Sequence, residues 1–296
     1  MTEQVPAGGF SADWLRLREP LDMAARSQAL AQGFKAALKP RAGEALRLID
    51  LAAGAGANLR ALAPVLQADQ DWILVDHDPL LLVAQRTEIS GWARQRGWLC
   101  QDQSGVLRID TGTAHWQVRG QQLDLARDLE QIDLSWCDGL VTTAFLDLVS
   151  AAWLDRLCAL LADKRRPLLA TLTVDGRRTW HPPREADERI THAFLAHQAG
   201  DKGFGESLGG QAASYLAERL AAQGYRVSTD RSDWRIGADH PDMLLAMAQE
   251  AAAVASEVNI GESATASAWL AGRADDLRQG ELALTVGHWD VLAVGA

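Results

Sequence analysis

Two glycines in a run of small residues carry the clearest chemical information in this chain. Gly54 and Gly56 lie in the segment 52–56, after the apolar run 46–51 and before a segment with helical periodicity. Because glycine has no side chain, a ligand can approach the main chain there, and the first N–H groups of the following helix point toward it. The pattern predicts a loop that holds a nucleotide-like cofactor. The alternative interpretation is a strand-to-helix turn without a ligand.

An acidic residue follows at the spacing expected for ribose binding. Asp76 ends the apolar run 72–75, about 20 residues beyond the loop, where βαβ nucleotide sites carry a carboxylate for the ribose hydroxyls. The alternative is a solvated carboxylate at a strand end, and the neighbouring Asp78 is either a second ligand candidate or a helix cap. NAD-binding loops carry a helix-packing glycine where this chain has Leu59, so the sequence disfavours an NAD site.

The segment from Asp50 to Gly56 reads Asp-Leu-Ala-Ala-Gly-Ala-Gly. It resembles the first motif of the class I S-adenosylmethionine (SAM)-dependent methyltransferases, in which an acidic residue precedes a G-x-G-x-G-like loop. Ala52 replaces the first glycine of that pattern. The resemblance implies SAM as the cofactor, and the cofactor-binding residues that it implies are Asp50, Ala52, Gly54, Gly56, Asn58, Asp76, His77, Asp124, Leu125 and Thr143.

The resemblance also implies separate roles within this set. Asp50 would organise the amino-acid end of SAM through water or main chain, and Asp76 would bind the ribose hydroxyls. Asp124 would lie near the adenine amino group, with Leu125 against the ring. The alternative for Asp124 is the N-cap of a short helix, and the sequence leaves both interpretations open.

Candidates on the acceptor side lie in the polar segment 175–210, which we expect to form a lid or substrate wall. His181, His192 and His197 are candidate general bases, because a neutral imidazole can take a proton from a hydroxyl, amine or thiol near neutral pH. The alternative for each is a surface or structural role. His192 and His197 are five residues apart, a poor match to one helix face, so no metal site is predicted.

The elements that must position these residues follow from the apolar runs and helical periodicities. They predict a Rossmann-like, mostly parallel sheet with helices on both faces, within one domain spanning 1–296. The resemblance to the methyltransferases implies seven strands and an antiparallel terminal strand. The additions to this plan are a helical N-terminal extension (1–44), a small hairpin (98–121), the lid segment (175–210) and a helical insertion (238–280). The last strand is predicted at 282–286, followed by an edge segment at 288–294.

Composition excludes several classes of protein. The chain of 296 residues carries a formal net charge of −10 without a basic block, so nucleic acid is not an expected partner. The three cysteines, Cys100, Cys137 and Cys158, lack close metal-ligand spacing and suggest neither a disulfide framework nor zinc. No basic leader opens the chain, and no run approaches the roughly 20 apolar residues that span a bilayer. We therefore expect a cytoplasmic protein without a membrane partner.

These observations predict an enzyme that transfers the methyl group of SAM by direct displacement to an O, N or S atom of a small-molecule metabolite. Thr142 to Phe145 replaces the Asn-Pro-Pro-Tyr-like motif that this fold often carries for amide or exocyclic amino targets, which favours a small acceptor. The alternatives are a non-catalytic SAM-binding or assembly protein and, less favoured, an NAD-dependent oxidoreductase. A homodimer is compatible with the sequence.

Overall fold

The computed structural model describes residues 11–40, 43–258 and 260–295. The expectation that no leader opens the chain, and the beginning of the N-terminal extension, lie outside the described residues. The helices are α1 (Ala12–Ala25), α2 (Gln28–Ala37), α3 (Ala57–Leu66), α4 (Pro79–Gln95), α5 (Leu125–Asp128), α6 (Ala151–Lys164), α7 (Asp187–Gln198), α8 (Ala212–Ala222), α9 (Pro241–Val258) and α10 (Ser263–Gln279). The strands are β1 (Leu46–Leu51), β2 (Gln70–Asp76), β3 (Leu99–Gln103), β4 (Val106–Asp110), β5 (His115–Gln122), β6 (Gly139–Thr143), β7 (Leu168–His181), β8 (Tyr225–Arg231), β9 (Trp234–Ile236) and β10 (Ala283–Gly295).

These strands form one sheet in the order β3-β4-β5-β2-β1-β6-β7-β10-β8, with β9 paired to β10. The five strands from β5 to β7 are parallel, whereas β10 is antiparallel to both β7 and β8. This order and the antiparallel terminal strand confirm the predicted Rossmann-like fold class. The described part of the sheet contains ten strands rather than seven, because β3, β4 and β9 join its two ends.

The two faces of β1 pack against different helices, as expected for a strand buried on both sides. Leu48 belongs to a core with Phe34 of α2 and Leu59 of α3, whereas Leu51 belongs to a core with Leu154 of α6 and Leu216 of α8. The loop after β1 is therefore held between two helical layers. It lies at the carboxyl edge of the parallel strands, where open α/β folds bind ligands.

A third core lies beyond the carboxyl edge of the parallel strands and is built from other strands and helices. The long β7 and β10 extend past the parallel strands as an antiparallel ribbon, and the helices α1, α7, α9 and α10 pack against it. Trp180 of the ribbon stacks edge-on against Trp269 of α10, with ring centroids 5.2 Å apart. We call the ribbon and these four helices the cap region. Its helix α1 runs toward the loop after β1.

Two details of the predicted plan were wrong. The predicted edge segment 288–294 and the predicted strand 282–286 are one strand, β10, which lies inside the sheet between β7 and β8. The polar residues of the segment 288–294, His288 and Asp290, are both buried, with Asp290 accepting hydrogen bonds from the main chain of Leu172 and Ser27. In addition, residues 175–181 of the expected lid are part of β7.

Candidate functional site

The loop after β1 adopts the left-handed backbone that its small residues permit. Ala52, Gly54 and Gly56 have φ values of 52°, 53° and 81°. At Gly56 a side chain is also excluded by space, because a Cβ atom there would lie 2.8 Å from Cδ1 of Ile89. Gly56 is the N-cap of α3 and offers no side-chain cap, so the first turn of this helix faces the loop with its N–H groups. The loop has the form of an anion- or nucleotide-binding turn.

Asp50, at the end of β1, is fully buried directly beneath this loop. Its Oδ1 accepts a hydrogen bond of 3.0 Å from Nδ2 of Asn58, and its Oδ2 has no hydrogen-bond partner among the described residues. Burial raises the pKa of Asp50 to about 7, against the opposing effects of the Asn58 hydrogen bond and the charge of Arg26. A buried carboxyl oxygen without a donor fits a ligand that brings its own N–H groups, such as an ammonium.

Arg26, just after α1, connects Asn58 to the neighbouring strands. Its Nη1 donates to Oδ1 of Asn58 (2.8 Å) and to Oγ1 of Thr171 (2.7 Å), and its Nη2 donates to Oγ1 of Thr143 (3.1 Å). The sequence analysis did not identify Arg26, although it placed Thr143 in the site. The arginine reaches residues 32, 117 and 145 positions away, and no local pattern signals such contacts.

Asp76 is also buried, and it holds the loop from the side of β2. Its Oδ2 accepts a hydrogen bond from the main-chain N–H of Gly54 (2.8 Å), and its Oδ1 accepts one from the main-chain N–H of Asp78 (3.1 Å). His77 beside it is exposed, with Nδ1 3.5 Å from Oδ1 of Asp76. The side chain of Asp78 caps α4 by accepting from the N–H of Leu80. Asp76, rather than Asp78, is therefore the carboxylate next to the glycine loop.

Asp124 and Leu125 lie at the end of β5. Asp124 is the N-cap of α5, with its Oδ1 accepting a hydrogen bond of 3.0 Å from the N–H of Ala126, and Leu125 is buried. The structure shows the capping role, one of the two interpretations of Asp124. The role near an adenine ring stays a prediction.

The helix α1 covers the loop. A Cβ atom at Gly54 would lie 3.1 Å from Cδ1 of Leu15. Four residues further along α1, Glu19 forms an ion pair of 2.6 Å with the buried Arg60, which also donates to the carbonyl oxygen of Ala55. The donor set around the loop fits SAM, and the side chain of Leu15 has to move for a ligand to lie against Gly54.

The three candidate histidines are exposed and none of them contacts the loop in the described structure. His181 ends β7, ten positions beyond Thr171, which corresponds to roughly 30 Å of strand. His192 and His197 lie on α7 with exposed side chains. Their assignment as general bases stays a prediction that the geometry does not favour.

A carboxyl group that the sequence analysis did not select is better placed. Asp147 lies four residues after the end of β6, and its side chain is buried. Its Oδ2 accepts a hydrogen bond of 2.9 Å from Nε2 of Gln198 on α7, while its Oδ1 and the Gln198 Oε1 have no partner in the described ranges. Burial raises the pKa of Asp147 to about 6, and the nearby charge of Arg18 on α1 opposes this rise. In the sequence, only its position shortly after β6, the fourth parallel strand, indicated that Asp147 lies near the site.

Within the described residues, no group of three or more His, Cys, Asp or Glu side chains is arranged to hold a metal ion. All three cysteines are free thiols. The described helices include none with the length and apolar character needed to cross a bilayer.

No protein-family model and no curated protein matches the chain, whereas solved structures do. The cyclopropane synthase MmaA2 from Mycobacterium tuberculosis is 14% identical, with a TM-score of 0.48 over 96% of this chain and 94% of that one. A putative sarcosine dimethylglycine methyltransferase from Galdieria sulphuraria is 14% identical, with a TM-score of 0.40 over 98% of this chain and 93% of that one.

A third match is phosphoethanolamine N-methyltransferase 2 of Haemonchus contortus, solved with phosphomonomethylethanolamine and S-adenosylhomocysteine. It is 11% identical, with a TM-score of 0.46 over 97% of this chain and 58% of that one. Because these identities and TM-scores are low, the chemistry of this chain has to be inferred from its own residues. Its strand order and the glycine loop after β1 agree with the Rossmann-like fold class expected from the sequence.

Proposed function

We propose that the protein is a SAM-dependent methyltransferase that acts on a small molecule. The observation that carries this proposal is the buried Asp50 beneath the left-handed loop of Ala52, Gly54 and Gly56, at the carboxyl edge of a sheet with the methyltransferase strand order. A carboxyl oxygen without a donor and a loop without side chains suit the amino-acid end of SAM.

The residues around the loop have separate roles in binding SAM. Asn58 and Arg26 hold Asp50 and tie it to Thr143 and Thr171, so its carboxyl group is fixed before a ligand arrives. Asp76 fixes the turn at Gly54 and keeps lone pairs free for ribose hydroxyls. Asp124 and Leu125 mark the adenine end. When SAM is bound, its sulfonium supplies an activated methyl group.

Asp147 is the group that we assign to proton transfer from the acceptor. It follows β6 at the same edge as Thr143, and its raised pKa of about 6 suits a base that works near neutral pH. The amide of Gln198 holds one carboxyl oxygen and leaves the other unpartnered among the described residues. An acceptor hydroxyl or ammonium would donate to that oxygen.

A small acceptor agrees with the charge and with the helix over the loop. The formal net charge of −10 disfavours polyanionic substrates, and Leu15 of α1 lies over Gly54. The test is the transfer of isotopically labelled methyl groups from SAM to compounds in a metabolite extract. We expect a labelled small molecule with the wild-type chain and none with Asp50→Ala.

A second candidate function is SAM binding without catalysis, and the exposed positions of His181, His192 and His197, none of which contacts the loop in the described structure, favour it. Measured SAM binding without label transfer to any extract compound would support this alternative. Label transfer that depends on Asp147 would exclude it.

A further inference from the structure

Arg178 is a cation on the inward face of the antiparallel ribbon. It pairs across the sheet with Val286, which pairs in turn with Trp234. Directly opposed residues project to the same face, and both Val286 and Trp234 are buried in the third core. Trp180, two positions along β7, is buried there too. Arg178 therefore extends toward the third core, where Trp234 also contacts the buried, mutually paired Arg18 and Asp22.

The guanidinium of Arg178 lacks an anion at bonding distance. Its central carbon lies 3.9 Å from the ring centroid of Phe194 on α7, and its Nη2 is buried without a hydrogen-bond partner in the described structure. None of the ion pairs formed by the described residues includes Arg178. Burial lowers the pKa of Arg178 to about 10, with the charge of Glu250 on α9 acting against it. An unpaired buried charge is costly unless a ligand completes it.

The region around Arg178 is partly open to solvent. Arg178 on β7 and Phe194 on α7 are half-buried, and Glu250 on α9 is exposed. Burial raises the pKa of Glu250, and the charge of Arg178 opposes this rise. A small molecule can therefore reach the side chains between β7, α7 and α9.

The bulge in β7 brings Arg178 close to Asp147. Val174 pairs with His288, and Arg178 pairs with Val286, so four residues of β7 face two residues of β10. Arg178 is thus about two strand positions, or roughly 7 Å, beyond Val174. The short helical turn that carries Asp147 packs against β7. The cation and the proposed base border one region.

We propose that Arg178 binds an oxyanionic group, a carboxylate or a phosphate, of a small molecule that enters between β7, α7 and α9. The guanidinium lies over Phe194, and its Nη2 has a donor that none of the described residues accepts. Carboxylate and phosphate oxygens are the acceptors that arginine recognises best. Naming this molecule as the methyl acceptor rests on the proposed function, whereas the anion site itself does not.

The test uses the full chain without SAM and two probes, inorganic phosphate and acetate, at constant ionic strength set with sodium chloride. At ten times its dissociation constant, the bound anion should raise the melting temperature of the wild type by about 3 °C. We expect Arg178→Gln to abolish this rise and Arg178→Lys to weaken it. Which probe acts decides between phosphate and carboxylate.

The matched control is Arg235→Gln. Arg235 is exposed on β9, and its strand partner Thr285 lies one position from Val286 on the opposite face of the ribbon. This variant should keep the full anion effect. An equal rise in Arg178→Gln, or no rise with either probe in the wild type, would overturn the proposal. Because Arg178→Gln removes a desolvated charge, we expect it to fold, and circular dichroism checks this.

A SAM titration of the same proteins separates the two proposals. Anion binding that depends on Arg178, together with no SAM binding, leaves the anion site standing and removes the methyl-transfer function. SAM binding without any anion effect would remove the anion site and leave the proposed function standing.

Discussion

A carboxyl group buried beside a glycine loop costs stability in its ionised form, and Asp50 is such a group. In the folded chain burial raises its pKa from 3.8 to about 7. The stabilisation from its protonated form is therefore present below about pH 4 and is lost as the pH rises through 7. At pH 8 the ionised carboxylate is a net cost despite Asn58 and Arg26, and a bound cation would offset it.

Asp50→Asn should therefore separate stability from binding. The asparagine keeps an oxygen for Asn58 and removes the desolvated charge, although Arg26 loses a favourable neighbour. We expect the free energy of unfolding at pH 8 to rise by about 1–3 kcal/mol, measured by urea denaturation. SAM affinity should fall at least tenfold, about 1.4 kcal/mol, by calorimetry. Unchanged SAM affinity would remove Asp50 from the site; Asp163→Asn, exposed on α6, is the control.

The role proposed for Asp147 leads to a prediction about the pH dependence of kcat/KM. As a base it must be ionised, so kcat/KM should fall as the pH decreases through about 6. The groups that face it are Gln198 on α7, whose amide does not ionise, and the positively charged Arg18 on α1. Asp147→Asn should reduce kcat by roughly 100-fold or more and abolish this pH dependence.

SAM affinity of the same variant provides the internal check. It should stay within about twofold of wild type, because no cofactor role is assigned to Asp147. A purely structural role would instead lower the melting temperature and leave the pH profile of the remaining activity unchanged.

Among the elements, α1 controls access to the loop. Leu15 lies over Gly54, and the ion pair between Glu19 and Arg60 fastens the helix there. Leu15→Ala should keep or improve SAM affinity because it opens the space above Gly54, whereas Leu15→Trp should weaken it at least tenfold. Calorimetric titration measures both variants. Equal affinities would show that α1 does not cover the bound cofactor.

The elements also show what a sequence can specify. The glycine loop, Asp76 and the parallel strands follow from short-range patterns, namely small residues, apolar runs and helical periodicity. The single strand β10 could not be foreseen, because the buried His288 and Asp290 interrupt its apolar pattern and are satisfied by distant partners. Asp290, for example, accepts from Ser27, 263 positions away.

The same limit applies to the site. Arg26, Asp147 and Arg178 acquire their importance only when the cap region folds over the sheet edge. Conversely, the polar segment with His181, His192 and His197 looked like a substrate wall, and the structure leaves these side chains exposed. Composition alone cannot decide which polar residues of such a segment turn inward.

At the scale of the whole molecule, the parallel sheet carries the glycine loop, and the helices α1, α7, α9 and α10 form a cap beyond its carboxyl edge. The proposed roles follow this division, with Asp50 below the loop, Asp147 after β6 and Arg178 on the ribbon. The homodimer stays a prediction, as does the cytoplasmic location. The division explains why one site needs residues from nearly the full length of the described chain.

The central claim is that the loop after β1 binds SAM. The most direct measurement is a calorimetric titration of the full chain with SAM, with S-adenosylhomocysteine and with NAD. The account predicts one site per chain with micromolar affinity for the first two ligands and none for NAD. Absence of SAM and S-adenosylhomocysteine binding, or tight binding of NAD, would contradict it.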